Sequence, residues 1–194
     1  MRYQIAPAFR LMLILTVLTG LVYPGVVTGL CQILFSKQAN GSLVKVDGRV
    51  VGSSLIGQNF TRPEYFRPRP SAAGNDGYDP PASGGSHYGP SNQKQIDRVR
   101  ASVEQFRKEN PEYTGPIPAD LVTASGSGLD PEISPAAAAA QAARVARARH
   151  ITLEQLGQLI GAHTTRPNLA LLGEPRVNVL GLNLALDREF PAKQ

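Results

Sequence analysis

From Leu11 to Phe35 the chain runs 25 residues without a charged side chain, and this run constrains the fold more than any other feature. A helix of that length rises about 37 Å, enough to cross a hydrocarbon core of about 30 Å. A cleaved signal peptide would carry an apolar region of about 7–15 residues and then a small-x-small site. Here Gln32-Ile33-Leu34-Phe35 continues bulky to the end of the run, and Leu30 stands where a lipoprotein signal at Cys31 needs a small residue. The sequence therefore predicts one retained transmembrane helix over residues 11–35, an amino-terminal segment 1–10 and a folded part 36–194. Arg2 and Arg10 flank the amino end, against Lys37 and then Lys45 past the carboxyl end. That bias predicts a cytoplasmic amino terminus, a single pass through the inner (plasma) membrane and a periplasmic, extracytoplasmic domain. Such a domain has no ATP in its compartment.

The helix carries more than an anchor needs. Pro24 deprives the Gly20 carbonyl of its helical partner, so an interruption is expected near mid-membrane. Gly25 and Gly29, with Thr16 and Gly20 in the same spacing, offer small residues where another helix backbone could approach. Membrane-helix packing is therefore assigned to Thr16, Gly20, Pro24, Gly25 and Gly29.

Beyond the span, 194 residues leave room for one compact domain and exclude a multidomain enzyme. Leu43 to Val51, centred on Asp47-Gly48, reads as a hairpin. Leu55–Phe60 reads as a further strand. The Pro- and Gly-rich stretch 61–92 holds Tyr65, Phe66, Tyr78 and Tyr88, which predicts an ordered loop rather than a linker. Ile96, Val99, Val103 and Phe106 mark one amphipathic helix over 91–108. Asp120–Thr123 reads as a short strand. Ser134-Pro135 caps an alanine-rich helix running to Ala148, and Thr152 with Gln155 caps a third helix. Leu182, Leu184 and Leu186 alternate, which predicts a closing strand within 175–186. Interspersed strands and helices give an α/β (α+β) domain.

The reactive inventory is thin: His87, His150, His163, the single Cys31 and scattered carboxylates. No zinc-protease helix, CxxC pair, serine elbow, phosphate-binding loop or dinucleotide fingerprint is present. Ser125 and Ser127 read as turn residues, as do Asp76, Asp79 and Asp130, and His150 reads as a cation at a helix carboxyl end. No catalytic residue and no metal ligand is assigned. Without Arg2 and Arg10 the formal charge falls from +5 to +3, too mild for a nucleic-acid partner. Ser83-Gly84-Gly85-Ser86 could present backbone N–H groups to an anion. One membrane helix cannot enclose a pore. These residues describe an anchored interaction protein.

Several stretches carry a resemblance. They are Leu18–Pro24, Gly52–Gln58, Tyr65–Ala73, Ser83–Gly85, Gly89-Pro90 with Asn92, Ile117–Pro131, Ile133–Pro135, Gln141 with Arg144–Ala146, and Pro175–Leu180 with Leu182-Asn183. In this order the chain closely resembles the C subunit of Kdp-type potassium-transporting P-type ATPases. Where that family usually has Asn and Leu, this chain has His87 and Tyr88. The resemblance implies a membrane complex that handles potassium. Its A subunit is channel-like, its B subunit hydrolyses ATP through an aspartyl phosphate, and an F peptide completes it with this chain. Two alternative roles stand: an accessory subunit that stabilises assembly, or, as the resemblance implies, a catalytic chaperone that raises the B subunit's ATP affinity in a ternary complex. The periplasmic topology favours the first, with ATP met only through the complex and no cofactor on this chain. Ser83, Gly84, Gly85, Ser86, His87 and Asn92 form the candidate functional loop. The remaining contacts of the helix are membrane lipid.

Overall fold

The computed structural model describes residues 2–167 and 173–191. It divides into two units, Met1–Val51 and Gly52–Gln194. In the first, α1 (Arg2–Val17), a π-helical turn (Leu18–Val22) and α2 (Tyr23–Leu34) follow without a break. Tyr3–Leu34 is long and apolar enough to span a membrane, and its apolar stretch buries nothing within the protein. Pro24 has no N–H, and its ring would strike the carbonyl four residues back in a regular helix. The π turn resolves this. The Tyr23 N–H reaches the Leu18 carbonyl, five residues back, and α2 restarts with Pro24 in its first turn, where proline is tolerated. The Thr19 hydroxyl donates to the Leu15 carbonyl at 2.7 Å, so it is paired within the helix.

The helix ends at Phe35 and gives way to one further turn, α3 (Ser36–Ala39). Asn40 ties that turn down by donating to the Ser36 carbonyl at 2.7 Å and to Gln32 Oε1 at 3.1 Å. The hairpin expected about Asp47-Gly48 is present as β1 (Leu43–Val46) and β2 (Arg49–Ser53). Asp47 and Gly48 both take positive φ, 50° and 78°, as a two-residue turn matched to strand twist requires.

In the second unit, α5 (Pro135–Arg149) packs against α6 (Leu153–Ala162) and a small antiparallel sheet, with α7 (Val179–Glu189) closing the core. In that sheet β5 (Arg176–Asn178) lies between β3 (Glu132–Ile133) and β4 (Thr164–Thr165), with Val177 opposite both Ile133 and Thr164. Val145, Leu156, Val177, Leu182 and Leu186 are wholly buried. Burying each such side chain contributes about 1.5–3 kcal/mol. Ala137 and Ala138 give α5 a flat buried face that admits close packing. The caps stand where the sequence puts them. Ser134 Oγ accepts from the Ala137 N–H at 3.0 Å, and Thr152 and Gln155 exchange both bonds of a capping box. His150 closes α5 in the left-handed conformation, φ 55°. Helix α4 (Gln93–Glu109) is also where expected, but of its apolar stripe only Phe106 is buried and Ile96 is exposed.

Three predicted strands are corrected. Leu55–Phe60 is irregular: the Gly57 N–H donates to the Leu129 carbonyl at 2.8 Å and the Asn59 side chain to the Asp76 carbonyl at 3.3 Å, in place of a ladder. Gly57 is required there, since a Cβ would lie 2.5 Å from the Asp130 carbonyl oxygen. Asp120–Thr123 is instead a 3₁₀ turn, Ala119–Leu121, held because the Asp120 carboxylate accepts the Ser134 N–H at 2.7 Å. In the closing segment only Arg176–Asn178 is extended, and Val179–Glu189 is helix. Asn178 Oδ1 caps it by accepting the Gly181 N–H at 2.9 Å. Val179, Leu182, Asn183 and Leu186, four of the six buried residues of this helix, follow the helical period, so the leucine alternation is incidental.

Candidate functional site

The segment from Pro63 to Tyr78 has the composition of a loop, yet Phe66 within it is fully buried. Pro63, Pro68 and Pro70 bar a ladder here, so other groups must satisfy the backbone. Side chains of α5 and α7 do this. Asn183 accepts the Phe66 N–H at 2.9 Å and donates to the Phe66 carbonyl at 3.0 Å. Gln141 does the same for Arg67, at 2.8 and 3.1 Å. Arg144 donates to the carbonyls of Pro63 and Tyr65, and Arg149 to that of Glu64. Two buried amides and two buried guanidiniums thus stand in for the strand that proline forbids.

The electrostatics of this clamp follow from burial. The guanidiniums of Arg62 and Arg149 both lie over the Tyr65 ring, 4.9 and 4.8 Å from its centroid, and its hydroxyl reaches Asp187 at 2.9 Å. Burial and then the Asp187 carboxylate push the Tyr65 phenol above its ordinary value, against the pull of both arginines. Burial pushes the Arg144 guanidinium down to about 10, with Arg67 acting in the same direction and Glu109 and Glu64 opposing. Arg144 stays charged at neutral pH.

Held in this way, the segment forms one wall of an open polar cleft of about 570 Å³, and α4 lines the opposite side. Arg67 pairs with Glu109 at 2.7 Å, Arg69 with Asp130 at 2.9 Å, and Arg98 donates to the Ser71 carbonyl at 2.8 Å. Ser71 Oγ donates to the Gly128 carbonyl at 2.6 Å and accepts the Ala73 and Tyr78 N–H groups. Its proton is committed to a carbonyl, so nothing activates it as a nucleophile. The Tyr78 hydroxyl donates to the Arg69 carbonyl at 2.6 Å, and burial with Asp130 beside it raises its ionisation above the ordinary phenol range. Among the described residues no three His, Cys, Asp or Glu side chains gather as a metal site.

The loop Ser83–His87 lies elsewhere in this unit, on the turn 125–128. Ser83 Oγ and the Gly84 N–H both donate to the Ser127 carbonyl, at 3.1 and 2.8 Å, and a Cβ on Gly85 would lie 3.1 Å from the Gly126 carbonyl oxygen. Gly84 therefore has no N–H to spare for an anion. His87 takes positive φ, 52°, and Asn92 caps α4 by accepting the Lys94 N–H at 2.9 Å. Ser125 and Ser127 accept the N–H groups of Gly128 and Leu129, which is turn chemistry. In the other unit, the membrane-helix positions Thr16, Gly20, Pro24, Gly25 and Gly29 are all exposed. Added Cβ atoms on the three glycines would meet nothing within 4 Å.

Sequence reasoning assigned no role to the clamp and cleft residues Arg67, Arg69, Gln141, Arg144, Arg149 and Asn183, although all but Arg149 lie in the stretches that carry the resemblance. One signal was available: Gln141 stands within an alanine run and Asn183 between leucines, polar groups at positions a core face would fill with apolar ones.

Comparison with known proteins agrees with these features. The family model for KdpC, the c chain of K+-transporting ATPases, matches residues 5–188. A protein of Gemmatimonas aurantiaca called potassium-transporting ATPase KdpC subunit is 56% identical over 187 residues, covering 96% of this chain and 94% of its own. One of Myxococcus xanthus with the same name is 58% identical over 184 residues, covering 94% and 87%, and one of Rhodospirillum rubrum is 55% identical over 185, covering 95% of each. With an exposed apolar helix, a domain whose hydroxyls and amides are spent on its own backbone, and this likeness along nearly its whole length, the chain belongs to the KdpC family of K+-transporting ATPase subunits.

Proposed function

We propose that the chain is a non-catalytic accessory subunit of a potassium-transporting ATPase and stabilises assembly of the channel-like A subunit and the ATP-hydrolysing B subunit, with F. It sits in the inner membrane by one pass, amino terminus in the cytoplasm and folded domain in the periplasm. The supporting observation is the exposure of Tyr3–Leu34: an apolar helix that buries nothing in its own chain is left for lipid or other helices to cover. Gly25 and Gly29, open at the Cβ position, allow a second backbone to approach closely. A subunit of this kind acts by holding the complex together, and the hydroxyl and amide commitments described above fit that role. Replacing Gly25 and Gly29 together by Leu tests it. The subunit should be lost from the complex during purification while its own domain remains folded. Intact co-purification with normal potassium transport would refute the helix interface.

A further inference from the structure

A further pocket shares Arg67 and Glu109 with the cleft. It has a volume of about 360 Å³ and is lined by Arg67, Lys108, Glu109, Arg144 and Arg147, with Pro63, Pro111 and Ala148 completing it. Four cations face one carboxylate there, and Arg67 already holds that carboxylate, Glu109, at 2.7 Å. Glu112 holds Arg147 at 3.0 Å from outside the lining, which leaves two positive charges in excess. Among the described residues Lys108 has no carboxylate within ion-pair distance. Arg67 spends its two Nη atoms on Glu109 and the Thr61 carbonyl, so its charge is held at the pocket. Arg144, itself buried, is fixed by bonds to Asn110, Pro63, Tyr65 and Gln141, so its charge cannot move away from the others.

We propose that this pocket binds a phosphate group. Two excess charges match a phosphate dianion, and the exposed Arg147, held by Glu112 through one Nη, keeps donors for its oxygens, while Lys108 adds a mobile point charge. The lining holds no aromatic ring on which a base could stack, so recognition ends at the phosphate. Both free phosphate and a phospholipid headgroup carry this chemistry.

The test uses the full chain in neutral detergent, titrated calorimetrically with inorganic phosphate at fixed ionic strength. Saturable one-to-one binding is expected, with chloride giving none. Lys108→Gln with Arg147→Gln, both at exposed side chains, should weaken phosphate at least tenfold. Glu112→Gln releases Arg147 and should tighten binding severalfold, a direction that damage to the fold cannot produce. Phosphate heats equal to those of matched chloride, unchanged affinity in the double variant, or weaker binding in Glu112→Gln would overturn the proposal. Micelles containing phosphatidylglycerol then separate the sources: competition with phosphate identifies the headgroup, and its lack identifies the free ion.

Discussion

Asn183→Leu is the sharpest test of the clamp that holds the Pro63–Arg67 segment. The substitution nearly preserves side-chain shape but removes both bonds to Phe66, whose N–H donates to Asn183 Oδ1 at 2.9 Å and whose carbonyl accepts from Asn183 Nδ2 at 3.0 Å. Phe66 and Asn183 are 0% and 1% exposed, so water cannot replace the lost partner without opening the core. A buried backbone group left unpaired costs about 1–3 kcal/mol, hence roughly 2–6 kcal/mol for the two. Domains are stable by only about 5–15 kcal/mol, and each kcal/mol moves Tm by about 2–4 °C at this size. Far-UV circular dichroism of the full chain in detergent should therefore show the domain melting about 5–20 °C lower. Limited proteolysis should cut within residues 61–78 first, because that segment loses its anchorage before the helices do. A melting point within about 2 °C of the parent, with no new cleavage there, would refute the reasoning.

Other outcomes follow from the same contacts. The Tyr78 phenol ionises above its unfolded value of 10.0, so the stability it confers is complete below about pH 10 and is lost as pH rises through its higher folded value. Tyr78→Phe should remove that part of the alkaline decline, while the lost bond to the Arg69 carbonyl lowers stability at neutral pH by about 1 kcal/mol; an unchanged alkaline limb contradicts the assignment. Changes at Ser83–Ser86 should leave any ATP binding by the purified chain unaltered, because the Gly84 N–H is already committed to Ser127. Saturable binding abolished by changes at Ser83–Ser86 would instead favour the catalytic-chaperone role.

What could be read from the residues was whatever local chemistry decides. An uncharged run announces the span by itself. Asp47-Gly48, Ser134-Pro135 and the Thr152–Gln155 pair each satisfy groups within four residues, and all three features are present. Leu182-x-Leu184-x-Leu186 misled because period two and period 3.6 share two of its three leucines. Burial at Val179 and Asn183, with the Asn178 cap, selects the helix. The clamp was out of reach for a different reason. Gln141 and Asn183 serve backbone groups 74 and 117 residues away, and no spacing rule encodes a bond of that separation. Asn92 is the intermediate case: a loop position with a functional look that turns out to start α4.

Which face of the membrane carries the domain tests the account most directly. Protease added to intact spheroplasts, with the fragments mapped by mass spectrometry, should digest the chain after residue 36 and leave an undigested amino-terminal fragment containing Tyr3–Leu34. A domain that survives until the membrane is lysed would contradict both the orientation and the accessory role built on it.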